Sequence, residues 1–275
     1  MKQTVPKKQP QSKYHLSFHT KCILCLVPSL VGLLLFYILP YLRVLYYSLI
    51  NNQFKREFVG LKNYIDAIRN EYFRLAFKNS IQLIAVCVPV LIVLAILVSL
   101  GLTFLLKRLK MVRVAFILPM LIPTASVVLF FRNVFGSVEN ELPLYLLFIW
   151  KNIGICIILL TAALTTIEED IYEAARLDGA GGFALHLRIT LPLILPTISF
   201  STLMAIVNSF KIFRESYLYY GGNYPPDYGY TLQYYMNNNF LKFDYQALAS
   251  SSVLTSLLVA GIVIVFLLWE RRYQR

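Results

Sequence analysis

Residues 172–192 read Tyr-Glu-Ala-Ala-Arg-Leu-Asp-Gly-Ala-Gly-Gly-Phe-Ala-Leu-His-Leu-Arg-Ile-Thr-Leu-Pro, a polar, small-residue segment held between two apolar stretches. Its local chemistry predicts a short helix, a turn and a second helix. Upstream, Thr166 followed by Glu169 fits a capping box, in which hydroxyl and carboxylate satisfy orphan amide donors at a helix start. Glu168, Glu169 and Asp170 then fall in the first turn, where negative charge suits the helix dipole. Ala174 and Ala175 form a bald face that another protein's backbone can approach, and Gly179 is placed to stop the helix with positive φ. A second helix through 185–191 runs towards Pro192 and Pro196. Such a unit is rigid, small-faced and able to sit in a cleft.

What flanks this segment decides the fold class. The chain is 58% hydrophobic and only 15% charged, against about a quarter charged in a soluble domain. Runs without Asp, Glu, Lys or Arg cover 22–42, 79–106, 114–131, 152–167, 189–210 and 245–269. A helix crosses the bilayer core with about 20 apolar residues. Five runs meet that length, and the fourth meets it by extending back through 144–150 and taking in Lys151. The expectation is an all-α integral membrane protein. A flexible basic tail at 1–20 precedes a membrane domain at 21–273, with spans about 22–42, 81–106, 112–131, 143–165, 191–212 and 248–269.

The net charge of +12 follows membrane topology rather than nucleic acid. Basic clusters flank the apolar runs: Lys2, Lys7, Lys8, Lys13 and Lys21; Lys107, Arg108, Lys110 and Arg113; and Arg271, Arg272 and Arg275. Six spans with both termini inside place all three clusters on the cytoplasmic face, beside anionic lipid headgroups. The outer loop 43–78 is also basic, but longer loops obey the rule weakly. Its Ile65, Ile68, Tyr72, Leu75 and Ala76 recur at helical spacing and predict an amphipathic helix along the membrane surface. The first apolar run lacks a small-x-small cleavage site and reads as a span, closing at Leu39-Pro40. Cys22, Cys25, Cys87 and Cys156 all fall in predicted spans and read as small buried apolar residues.

The three blocks Glu173-Ala174-Ala175, Asp178-Gly179-Ala180 and Ile189-Thr190-Leu191-Pro192 resemble the cytoplasmic coupling loop of ATP-binding cassette (ABC) importer permeases. Further resemblances stand in register with them. Gly60-Leu61-Lys62-Asn63-Tyr64 is similar to the Gly-Leu-x-Asn-Tyr element of carbohydrate-type permeases. Pro119 and Pro123 match the prolines of the family's third helix, and the stretch from Ser209 to Glu215 leading into Gly221-Gly222 matches the end of its fifth. The resemblance implies the type I importer permease fold: six transmembrane helices, N-in and C-in, with a cytoplasmic coupling helix in a loop at 166–192. It also implies that Glu173, Ala174, Ala175, Asp178, Gly179, Ala180 and Pro192 couple the chain to an ATPase. Where the family commonly has proline, more polar residues and an aromatic, this sequence has Glu168, Gly181-Gly182 and His186. Between spans three and four the outer loop near 136–143 is shorter than in relatives.

Candidate pathway residues come from the chemistry of the spans. A charge inside a membrane is costly and faces a cavity, a partner or the surface. Lys151, beside Asn152, is the clear case. Asn208 and Ser209 in span five, and Ser251 with Thr255 four apart in span six, could line a path or serve helix packing. The outer loop 211–247 is crowded with tyrosines, for which an interfacial aromatic belt is the default and sugar stacking the alternative. Glu169, Asp170, Glu173 and Asp178 could instead form a magnesium site of an intramembrane transferase, but no second acidic motif completes it. An ion-driven carrier would need buried carboxylates, and no predicted span holds Asp or Glu. No Gly-Lys-Ser/Thr phosphate loop occurs, so ATP falls to partner chains. The expectation is a non-catalytic permease subunit with no cofactor of its own, in a bacterial cytoplasmic membrane, carrying a sugar, an oligosaccharide or another small solute. Its implied partners are a second permease, in a heterodimer, two ABC ATPase subunits and an extracytoplasmic solute-binding protein.

Overall fold

The computed structural model describes residues 18–52, 54–105, 116, 121–136 and 138–273. Among these, regular structure is helical throughout, apart from an isolated antiparallel bridge between Ile50 and Phe58. Residues 1–17, the basic cluster at 107–113 and Pro119 lie outside the described residues. The chain divides into two units, Met1–Tyr46 and Tyr47–Arg275.

The first unit is built on one helix, α1, which runs over Phe18–Leu33, widens into a π turn at Leu34–Ile38 and continues through Leu39–Ser48. The span therefore does not close at Pro40. A proline lacks the N–H that an α-helix needs, and the wider turn just before Pro40 lets the helix pass it. Its residues from Cys22 to Arg43 are exposed, Gly32 aside, with Phe36 at 75% exposure.

The second unit begins with α2, Lys62–Arg69, then Asn70, then α3, Glu71–Leu105. The predicted amphipathic helix is thus cut in two. Asn70 leaves helical geometry with ψ 127°, and its side-chain oxygen accepts the backbone N–H groups of Tyr72 and Phe73. Tyr72, Leu75 and Ala76 belong to α3, whose 35 residues reach about 52 Å, well beyond a hydrocarbon core of about 30 Å.

Beyond α3 lie α4, Thr124–Phe135, and α5, Leu142–Leu164. A further three helices follow: α6, Glu169–Leu177; α7, which runs from Gly182 through a π turn at His186–Thr190 to Leu193; and α8, Leu195–Ser209. The unit ends with α9, Phe213–Tyr220; α10, Leu232–Leu241; and α11, Tyr245–Tyr273. The core forms where α3, α5 and α8 meet. On α3 the row Leu83, Cys87, Leu91, Ala95 and Ser99 repeats every fourth residue, and all five are buried. Along α5 the matching row is Leu144, Phe148, Asn152, Cys156, Leu160 and Leu164, apolar except for Asn152. Ser99 Oγ donates to the Ile157 carbonyl at 3.3 Å, and Ser199, Ser201 and Ala205 let α8 approach closely.

Among the described residues, four helices are long and apolar enough to cross a membrane: Cys22–Ser48, Glu71–Thr103, Leu142–Leu164 and Tyr245–Leu268. A fifth crossing counts only if α7 and α8 are taken together across a 69° bend. That bend corrects the expected continuous span at 191–212. Pro192 and Pro196 flank Ile194, where the chain breaks, and Pro196 sits in the first turn of α8, where its missing N–H costs nothing. The third predicted span differs too. Pro123 is not a kink inside a helix; with ψ 132° it precedes α4, whose 12 residues reach only about 18 Å.

Candidate functional site

Two groups of predicted residues occupy separate regions of the second unit. The first is the helix–turn–helix at 169–193. Glu168, extended at ψ 139°, precedes α6, and no side chain caps the helix start. The expected capping box is absent because Thr166 turns back: its hydroxyl donates to the Ala163 carbonyl at 2.8 Å, closing α5 instead. Glu169 and Asp170 do lie in the first turn of α6, with Arg176 in the last, so both ends suit the dipole.

Gly179 ends α6 at φ +83°, as its position predicts. The Gly179 N–H reaches the Arg176 carbonyl at 3.0 Å, and the Ala180 N–H reaches that of Ala175 at 3.0 Å. This paired 5→2 and 6→1 bonding is a Schellman turn. Around it Glu173, Ala174, Asp178, Gly179 and Pro192 are exposed and Ala180 is half-buried. The bald face is narrower than expected, because Ala175 is buried inside the chain. Two large apolar side chains that the sequence reading passed over stand out beside the turn: Leu177 at 89% and Phe183 at 80% exposure. They leave apolar surface open beside the turn, which His186 does not. His186 instead faces inward, its Nδ1 3.2 Å from Thr190 Oγ1, which in turn donates to the Tyr172 hydroxyl at 3.3 Å. A cavity of about 310 Å³ lies beneath α6, lined by Glu169, Tyr172, Arg176 and His186 with the ends of α3 and α5. Among the described residues, no three His, Cys, Asp or Glu side chains gather as a metal site, so the acidic run of α6 is a solvated helix face.

The second group lies on α5, α8 and α9. Lys151 forms an ion pair with Glu215, whose side chain is only 7% exposed while that of Lys151 is 35% exposed. Lys151 Nζ also lies 3.4 Å from Thr124 Oγ1 at the start of α4. Next to the pair, Asn208 Nδ2 donates to Asn152 Oδ1 at 3.0 Å, and Asn152 Nδ2 donates to the Phe148 carbonyl at 2.8 Å. Lys151, Asn152, Asn208, Lys211 and Glu215 share a cavity of about 400 Å³ with Phe148 and other apolar side chains. Three of the predicted pathway residues are thus brought together. The other three are not. Ser209 is buried and donates to the Ile206 carbonyl within α8. Ser251 is buried and bonds to Ala247 and Leu248 carbonyls, and Thr255 bonds to the Ser251 carbonyl beside a different, apolar cavity. Glu215 was missed because it follows the apolar run of span five and stands 64 residues from its partner. Its signal is charge complementarity between a span and a distant loop.

The tyrosines of 211–247 mostly turn inward. Tyr230, Tyr234 and Tyr235 are buried with Phe73, Ala76 and Leu232, and Tyr219 packs on α4. Buried inside the protein, these rings cannot form a belt at the lipid interface, whereas Tyr224 remains 77% exposed. Burial pushes the Tyr234 hydroxyl up to about 12, which keeps it neutral at physiological pH.

The chain matches known proteins over most of its length. Residues 84–275 match the family model described as binding-protein-dependent transport system inner membrane component. The arabinooligosaccharides transport system permease protein AraP of Bacillus subtilis is 28% identical, over 94% of this chain and 92% of its own length. The osmoprotective compounds uptake permease protein GgtC of Synechocystis is 31% identical, over 71% of this chain and 80% of its own. In fold, the chain superposes with a TM-score of 0.76 on a bacterial ABC transporter involved in import of the acidic polysaccharide alginate, at 21% identity, covering 93% of this chain and 96% of the other. An apolar, all-helical unit with a protruding helix–turn–helix, matched by this family over its last 192 residues, belongs to the inner membrane components of binding-protein-dependent transport systems.

Proposed function

We infer that the chain forms half of the translocation pathway of an ATP-driven ABC importer for a sugar or oligosaccharide. The observation that carries this reading is the exposed Schellman turn at Gly179 between α6 and α7, flanked by Glu173, Ala174 and Asp178. A turn held by its own backbone bonds, with small and acidic residues outward, can enter a groove of an ATPase without reordering. Its closure is then transmitted through α7 and the bend at Ile194 to α8 and the spans. Support for a saccharide comes from relatives named for arabinooligosaccharides and alginate. Neutral hydrogen-bonding groups at Asn152 and Asn208 beside the Phe148 ring suit such a solute.

The working complex has a second, similar permease, two ATPase subunits and an extracytoplasmic binding protein. In a bacterial cytoplasmic membrane the chain spans six times with both termini inside, and the basic clusters at 107–113 and 271–275 face the cytoplasm. ATP-driven closure of the ATPase pair opens the path outward; hydrolysis returns it inward. Affinity purification of tagged protein in mild detergent, with ATPase assay of what co-purifies, tests this. Wild type recovers an ATPase and a second permease, whereas Gly179→Asp, adding charge and strain at φ +83°, loses the ATPase. Partners indifferent to residue 179 would sink the coupling reading.

A further inference from the structure

We propose that Glu215 determines the charge selectivity of the cavity beside Lys151 and sets it for neutral, hydroxyl-rich solutes. The proposal rests on the reading of that cavity as part of the pathway. Lys151 is the sole charge within α5, and its ammonium would otherwise give the cavity wall a net positive field. Glu215 comes from another element, α9, and is more deeply buried than a surface counter-ion needs to be. A carboxylate desolvated to this degree is stable only when paired. The pair cancels both charges while leaving Lys151 anchored against Thr124. What the wall then offers a solute is neutral. Asn152 and Asn208, linked by their own hydrogen bond, present amide donors and acceptors, and Phe148 contributes an apolar surface. Lys211, exposed two residues past the end of α8, also lines the cavity, so one solvent-exposed cation remains beside a wall whose buried charges cancel.

Removing Glu215 therefore leaves two cations around one cavity, whereas removing Lys151 leaves a buried carboxylate without its partner, which takes up a proton and becomes neutral. A cavity lined by one sign of charge raises the local concentration of oppositely charged ions by about tenfold or more. The field can be read without knowing the solute. In the purified transporter, with Cys22, Cys25, Cys87 and Cys156 replaced by serine or alanine, Asn208→Cys is modified by a neutral and by an anionic methanethiosulfonate reagent. The ratio of anionic to neutral rate is compared across variants. Glu215→Gln raises the ratio about tenfold, Lys151→Gln alone leaves it near the starting value, and adding Lys151→Gln to Glu215→Gln returns it there. An unchanged neutral rate shows that the cavity is still formed. A ratio that stays constant in Glu215→Gln would overturn the charge assignment. Failure of either reagent to reach Asn208→Cys would remove the pathway reading itself, and the proposal with it.

Discussion

The helix–turn–helix at 169–193 and the segment at 211–247 both connect longer helices, yet they treat their distinctive residues in opposite ways. The first holds its backbone with internal bonds and turns its side chains out: Leu177 and Phe183 are among the most exposed large apolar residues described. The second folds its side chains in. Tyr234 is fully buried, with Phe213 at a ring-centroid distance of 5.0 Å and Tyr230 at 5.9 Å. One segment is built to be completed by something else, and the other completes itself. The difference predicts where substitutions damage folding and where they damage assembly.

The largest effect is expected in the self-contained loop. Tyr234→Ala removes a ring that touches α9, α10 and the start of α3, and should cost about 3–5 kcal/mol. Its signature is a lower unfolding temperature of the purified protein and loss of monodisperse yield. Tyr224→Ala, at an exposed ring in the same loop, should change neither. Equal damage from both would break the contrast, because it would mean the loop is held by an outside surface rather than by its own core.

An opposite signature is expected at the turn between α6 and α7. Leu177→Ser with Phe183→Ser removes apolar area from side chains that touch little of this chain, so stability should move by less than about 0.5 kcal/mol per site. Recovery of the co-purifying ATPase, by contrast, should fall at least about tenfold, the effect of losing about 1.4 kcal/mol of contact energy. Anchors at interfaces owe their strength to burial on binding. A stable protein that keeps its ATPase after both substitutions would show that Glu173, Ala174 and Asp178 carry the docking alone.

How much of this was legible in the sequence depended on whether the cause was local. Gly179 was, since the residue that must take positive φ sits one position past a short helical pattern. The helix Leu142–Leu164 was as well: it falls within one residue of the expected 143–165, with Lys151 inside it. Misreadings arose where two local rules competed. Thr166 can cap the next helix or close the previous one, and it closes α5. Proline at 40, 123 and 196 is passed through, precedes a helix or begins one, and only the neighbouring turns decide which. Residues defined by distant partners were invisible. Nothing near Glu215 announces Lys151, and nothing near Tyr230, Tyr234 and Tyr235 announces that Phe73 and Ala76 will cover them.

The smallest effect separates the two roles of Gly179. Replacing it with alanine adds no charge, and a Cβ there meets nothing within 4 Å. The backbone is the whole of the cost: an L-residue held at φ +83° loses about 1–2 kcal/mol. That strain falls on a turn closed by the hydrogen bonds from Gly179 and Ala180, and it loosens the turn without altering its surface. Gly179→Ala should therefore give a few-fold drop in ATPase recovery, restored at lower temperature or higher ATPase concentration, while Gly179→Asp is not restored by either. Identical loss in both variants would place the whole contribution of residue 179 in the rigidity of the turn. No loss in Gly179→Ala would place it in the space the glycine leaves open. The comparison between the two connections then sharpens to one question, whether the turn at Gly179 acts by its shape or by what it keeps clear.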